Sequence, residues 1–411
     1  MGRSAHSSLC IGFIFLLAIF IGNDNSATAQ DTDSAWPAGC VEGTLGTPGQ
    51  RDYQMTLSCL PQGRSWNGNL LVYAHGFVNP QDPIALPAGE LNAVQVGDQS
   101  LIQFILDRGY AFATTSYSRN GWAIEYASEN LNALVEQFKN TAPASTENVL
   151  IVGGSEGGLV SVMQLEKFPD IYSGGLSLCG VVGGSQLQVQ YIGNFRTVFD
   201  YFFPDVFNFG TVDIPNDAPS QWQNTYSPAI QESLQNNPDV TESLFQVTRA
   251  PENSSDLETS RNSTAHTVLG YNIFVTQDLV QMAGGNPFQN IDTVYSGSNN
   301  DASLNSSVER VTADPGAIEY LNRFYQPTGN LQRPLVTLHN LQDPNVPYRH
   351  ELAYGSLVSS QGYLEHLTSI PVPGYGHCAF GTEEVLGAMT LLLARTESLP
   401  SLEDEINSRM E

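Results

Sequence analysis

A serine, an aspartate and a histidine in this chain of 411 residues stand in settings suited to acyl-transfer chemistry. Ser155 is the tip of the glycine-rich turn Gly153, Gly154, Ser155, Glu156, Gly157, Gly158. An apolar, largely β-branched run over 149–152 enters that turn, and a helical pattern over 159–166 leaves it. A serine hydroxyl is a poor nucleophile unless a neighbouring base takes its proton during attack. His377, on the glycine-bounded loop 374–380, is the candidate base. Asp343, in the turn 340–347 just past an apolar strand, is the candidate for holding the imidazole tautomer and stabilising the imidazolium. Gly-x-Ser-x-Gly alone also occurs in ordinary βα turns. Its context here is a strand, a sharp turn and a helix, followed in chain order by an aspartate and a histidine. The N–H of Glu156 then points at an oxyanion formed on an attacked carbonyl. The N–H of Phe77, in the turn His75, Gly76, Phe77 after an early strand, supplies a second donor.

These residues are far apart in the chain, so a sheet has to bring them together. Strand patterns run over 41–45, 53–57, 70–74, 110–115, 149–152, 175–180, 333–339 and 367–372. Helical patterns over 100–108, 127–139, 159–166, 352–359 and 383–395 alternate with most of them. Short connections in a β-α-β-α order predict an α/β fold, a mostly parallel sheet with helices on both faces. The turns at 75–77, 155, 343 and 377 all follow strands, which puts them at the edge where such sheets bind ligands. Tyr117 and Trp122, just past the strand at 110–115, are candidates for lining an acyl pocket. Among the other histidines, His75 reads as a brace for its turn and His339, inside a strand pattern, as a core residue.

Between residues 181 and 331 the alternation stops. The segment is rich in Asn, Gln, Asp, Ser and aromatic residues, with helical patterns over 186–203, 228–236, 240–248, 265–283 and 316–324. Residues 252–264 read as an exposed loop. We expect a large, mainly helical cap over the catalytic edge, its aromatic run 199–209, with Tyr201 and Phe203, forming an apolar pocket wall. The division is residues 1–29 as a signal peptide, 30–180 and 332–411 as the two parts of the core, and 181–331 as the insertion.

Composition narrows the function classes. The net charge is −26 and there are two lysines, Lys139 and Lys167. Such a surface repels nucleic acid and anionic lipid. A positive start, an apolar run over 9–22 and Ala27, Thr28, Ala29 read as a cleavable export signal, so the mature protein is expected to be secreted or periplasmic, without a membrane anchor. Beyond the signal lie Cys40, Cys59, Cys179 and Cys378. An even number in an exported chain favours disulfides over metal ligation, and four cysteines allow three pairings. Cys40 and Cys59 bracket a hairpin and are paired on that ground. Cys179 ends the strand after the Ser155 helix and Cys378 adjoins His377, so both reach the same edge and are paired with each other. No metal spacing, phosphate loop or dinucleotide fingerprint is present, and no cofactor is expected.

GGSEGG, HGF, LQDPNVP and GHCAF together resemble the α/β-hydrolase superfamily of serine hydrolases, over about 70–180 and 334–380. The cysteine after the histidine is similar to feruloyl-esterase and tannase-type members, although no cysteine adjoins Ser155. There is also likeness to secreted aminopeptidases of the same fold. The resemblance implies a Ser155, Asp343, His377 triad acting on a small-molecule or polymeric ester through an acyl-enzyme. An exported peptidase is the alternative, and a non-catalytic binding protein on the same scaffold is a third reading.

Overall fold

The computed structural model describes residues 36–396; the signal peptide read over 1–29 lies outside them. Eight strands form one sheet: β1 (Cys40–Leu45), β2 (Gln54–Cys59), β3 (Asn69–Ala74), β4 (Ala111–Thr115), β5 (Asn148–Gly154), β6 (Gly174–Leu178), β7 (Leu335–Gln342) and β8 (Leu367–Tyr375). Their spatial order is β1-β2-β4-β3-β5-β6-β7-β8. β2 runs antiparallel to both neighbours, and every pair from β4 to β8 is parallel. The strands are apolar on both faces because helices cover both. Leu70, Val72, Val149 and Ile151 face the helices Ile124–Thr141 and Glu156–Lys167. Leu71, Phe112, Val152 and Leu338 face the short helix Leu101–Leu106 and the C-terminal helix Thr382–Arg395. The hairpin disulfide joins Cys40 to Cys59, which are register partners of β1 and β2.

The helical insertion between β6 and β7 includes Ser185–Phe202, Ser227–Asn236, Pro238–Thr248, Leu257–Tyr271, Gln277–Ala283 and Pro315–Phe324. Two findings correct the sequence reading. The expected loop 252–264 is helical from Leu257, because Asp256 caps it by accepting the N–H of Thr259 and because Ser260 and Thr264 turn inward. The pattern at 265–283 is two helices joined by a π-helical turn, Asn272–Thr276. That turn aims the Asn272 amide at a buried Arg196 Nη1 (2.7 Å) and at the carbonyl of Thr211 (3.0 Å).

Much of the aromatic run packs within the insertion. Phe199, Phe203 and Phe207 are buried in the insertion's own core, with Phe207 stacked under the Arg196 guanidinium at 3.8 Å. Arg196 is completely buried and donates to Asp200 and to the carbonyl of Phe209. A buried guanidinium requires this enclosure of acceptors and ring faces. Phe203 is therefore a core residue, and the half-buried Tyr201 donates to Ser303 Oγ at 3.2 Å.

Candidate active site

Ser155 adopts φ 54° and ψ −117°, a conformation a non-glycine residue holds only where its surroundings impose it. Two flanking glycines make the bend possible. A Cβ on Gly153 would lie 2.1 Å from the carbonyl oxygen of Gly157, and a Cβ on Gly157 would lie 2.0 Å from that of Ala74. The end of β6 steadies the turn: Ser155 N–H donates to Leu178 O at 2.8 Å, and Val181 N–H donates back to Ser155 O at 3.3 Å.

The hydroxyl of Ser155 lies 2.9 Å from Nε2 of His377, and Nδ1 of His377 lies 2.7 Å from Oδ2 of Asp343. Asp343 is fully buried. Its Oδ1 accepts the N–H groups of Asn345 and Val346, both at 2.9 Å, so the turn after β7 wraps the carboxylate in its own amides. Desolvation pushes this carboxyl upward, and the charges and hydrogen bonds of His377 and His339 overcome it, holding it at about 2.

The histidine loop is tied to the sheet three times. Cys378 is disulfide-bonded to Cys179 at the end of β6. Asn340 of β7 makes a reciprocal amide pair with Ala379 (2.9 and 3.1 Å). Gly376 N–H donates to Gln342 O at 3.2 Å. Sequence reasoning missed Asn340; its only signal was a polar residue at the end of an apolar strand. Cys179, His377 and Cys378 place three potential metal-ligand atoms within 4.8 Å of one another, but the two sulfurs are bonded to each other.

The turn after β3 passes beside the serine, where a Cβ built on Gly76 would lie 3.7 Å from the Ser155 Cβ. Phe77 follows it, and Glu156 opens the helix Glu156–Lys167; neither backbone N–H has a hydrogen-bond acceptor among the described residues. His75 braces the turn. It is buried, stacked on Tyr117 at 3.8 Å, with Nδ1 2.7 Å from Gly76 O, and burial lowers its pKa to about 4. Beneath the same turn, Glu90 accepts the Tyr73 hydroxyl at 2.6 Å and faces the Gly76 N–H at 3.4 Å. The Glu156 side chain is buried, accepts the Ala123 N–H at 2.7 Å, and burial raises its carboxyl well above the ordinary range.

Tyr117 and Trp122 are both buried and packed in the core. Tyr117 is completely buried at φ 52°, donating to His75 O. Trp122 donates from Nε1 to Ser185 Oγ at 2.7 Å, and its backbone N–H donates to Asp278 at 2.8 Å. Both contacts of Trp122 fasten the insertion to the loop after β4. Further ties run from the Tyr191 hydroxyl to Pro344 O, from Gln188 to Asn345 O, and from the Tyr375 hydroxyl to Ser260 O. Tyr271, at the start of the π turn, sets its ring edge-to-face with Phe77 at 6.0 Å. The insertion thus docks on the turns carrying Asp343, His377 and Phe77.

No family model matches the sequence, and neither does any curated protein sequence. Solved structures do match. An esterase from Pyrococcus furiosus shows 12% identity and a TM-score of 0.44, covering 87% of this chain and 90% of that one. Est1E from Butyrivibrio proteoclasticus shows 11% identity and a TM-score of 0.39, covering 86% and 98%. The acylaminoacyl peptidase of Pyrococcus horikoshii shows 11% identity and a TM-score of 0.40, covering 82% of this chain; the match spans 37% of that peptidase. The assignment of fold rests on the molecule itself. With the sheet order β1-β2-β4-β3-β5-β6-β7-β8, an elbow serine after β5, an aspartate after β7 and a histidine after β8, this chain has the fold of the α/β-hydrolase superfamily.

Proposed function

We propose that the protein is a serine hydrolase that cleaves carboxylic esters through an acyl-enzyme. The continuous path from Ser155 Oγ through His377 to a buried Asp343, at 2.9 and 2.7 Å, carries this reading. As Oγ bonds to the ester carbon, His377 Nε2 takes its proton and the carbonyl electrons move onto oxygen. The N–H groups of Phe77 and Glu156 are the donors for that oxyanion. Collapse breaks the bond to the alcohol, which leaves with the proton from His377. Water then repeats the sequence on the acyl-enzyme, releasing the acid and restoring Ser155. Asp343 stays ionised throughout and stabilises the imidazolium.

The insertion acts as a cap, a reading supported by its hydrogen bonds to the Asp343, His377 and Trp122 loops. Esters are preferred to peptides because amide cleavage needs extra positioning of the leaving amine, and no motif supplies it. Two disulfides support a working place outside the reducing cytosol.

The test is a hydrolysis screen over short- and long-acyl esters, aromatic esters and aminoacyl amides, run on the wild type and Ser155→Ala. Ester turnover should exceed amide turnover. The variant should fold normally and retain only about 10³–10⁴-fold acceleration over water. Near wild-type activity in Ser155→Ala overturns the proposal. Faster turnover of aminoacyl amides moves the assignment to a peptidase, and no turnover of any substrate by the wild type favours the binding-protein reading.

A further inference from the structure

A second histidine faces the Asp343 carboxylate. His339, on β7, is completely buried, with Nε2 2.7 Å from the carbonyl of Val346 and 3.5 Å from Asp343 Oδ2. Its Nδ1 lies 3.2 Å from Oε1 of Glu351, whose Oε2 accepts the Thr337 hydroxyl at 2.6 Å. A carbonyl only accepts, so Nε2 carries a proton. On the other side Nδ1 meets a buried carboxyl oxygen, which requires one more proton between them. Asp343 in turn accepts two amides on Oδ1 and His377 Nδ1 on Oδ2, and the His339 ring stands 3.5 Å from the same Oδ2.

We infer that His339 is a positioning residue held as an imidazolium between Glu351 and Asp343, keeping Asp343 ionised and setting the proton affinity of His377. This rests on the reading of Asp343 and His377 as catalytic partners. Burial opposes a charge on His339, and the two carboxylates overcome it, raising its pKa to about 10. Other groups near the ring are few. Tyr348 meets it edge-to-face at 5.8 Å, and His350, on the same helix as Glu351, is kept neutral by burial. Thr337, the neighbouring polar group on β7, does not titrate. Across the sheet its register partner on β8 is Pro371, which carries no titratable group. The imidazolium and the two carboxylates thus form one row, Glu351, His339, Asp343, that ends on His377.

The position of the cation predicts a pH effect that a merely structural residue would not produce. Both histidines address the same Asp343 oxygen, so the His339 charge disfavours protonation of His377. In His339→Gln the amide can still donate to Val346 O, but the charge is gone. The acid limb of the kcat/KM profile should then move to higher pH by about 0.5–1.5 units.

The charge state is read directly by NMR of protein carrying ¹⁵N-labelled histidine. At pH 7 both ring nitrogens of His339 should carry protons, and Glu351→Gln should bring the His339 titration down in pH. Two results overturn the inference. One is an unprotonated ring nitrogen on His339 at pH 7, which would put the shared proton on Glu351. The other is a folded His339→Gln whose acid limb and His377 titration do not move. Should His339→Gln fail to fold, the wild-type and Glu351→Gln spectra still decide the matter. None of the NMR readouts needs turnover, so their failure is separate from failure of the hydrolase assignment, which Ser155→Ala tests.

Discussion

Removing the two disulfides one at a time should separate their roles. The Cys40–Cys59 bridge closes a separation of 19 residues within one hairpin, and Cys179–Cys378 closes one of 199 that includes the whole helical insertion. On a chain-entropy account the first constrains the unfolded chain by about 3 kcal/mol and the second by about 5 kcal/mol. Cys59 and Cys179 are both fully buried, so truncation to alanine leaves comparable voids and the difference reports loop closure. Catalysis should separate the bridges more sharply. Cys378 adjoins His377, and without its bridge the loop still keeps two ties to the sheet, the Asn340–Ala379 amide pair and the Gly376 to Gln342 bond. A displacement on the order of 1 Å at a reacting group costs up to about 10²-fold. With those two ties still in place, Cys179→Ala/Cys378→Ala should lose about ten- to a hundredfold in kcat/KM. Cys40→Ala/Cys59→Ala, across the sheet from the site, should keep wild-type kcat/KM. Urea unfolding and ester kinetics on the two double variants give both numbers. Equal losses of activity in the two, or a larger loss in the hairpin variant, would refute the argument that the second bridge positions the histidine.

Glu156→Gln should stabilise the protein in a pH-dependent way. Burial raises the folded-state pKa of Glu156 above its unfolded value near 4.5, so the native chain binds a proton that the unfolded chain releases. This cost is absent below pH 4.5 and grows as pH rises, by up to about 1.4 kcal/mol per unit, until the folded pKa is passed. Denaturant midpoints of the two proteins should therefore diverge between pH 4.5 and 7; a gap independent of pH would contradict the assignment. Phe203→Ala should cost about 3–5 kcal/mol through loss of a core ring, with KM for esters of different size unchanged. Tyr201→Ala, which removes a half-buried ring and one hydroxyl contact, should cost less. A change in KM across substrate size in either variant would return these rings to the substrate pocket.

Local signals were enough to locate the Ser155 turn, the Asp343 turn and the His377 loop, because each is a short piece of backbone chemistry written in consecutive residues. Gly153 and Gly157 have to be glycine because a Cβ at 153 would lie 2.1 Å, and one at 157 2.0 Å, from a backbone oxygen, and the strand before and the helix after are visible as runs of apolar residues. The β-α alternation likewise foretold the parallel sheet, since burial on both faces leaves strands apolar throughout. The cysteine pairing followed from where those strands end.

What the sequence left open depends on partners far away in the chain. Tyr117, Trp122, Tyr201 and Phe203 are large aromatics, and an aromatic side chain looks the same in sequence whether it meets a substrate or another part of the protein. Only the packing shows that Trp122 holds Ser185 and that Phe203 lies in the core that encloses Arg196. The same holds for His339. A histidine in an apolar strand reads as core, and it is core, but its charge is decided by Glu351 on a later helix and Asp343 on the following turn. Apolar periodicity is encoded along the chain, whereas the proton affinity of a buried group is set by whichever charges the tertiary fold places around it.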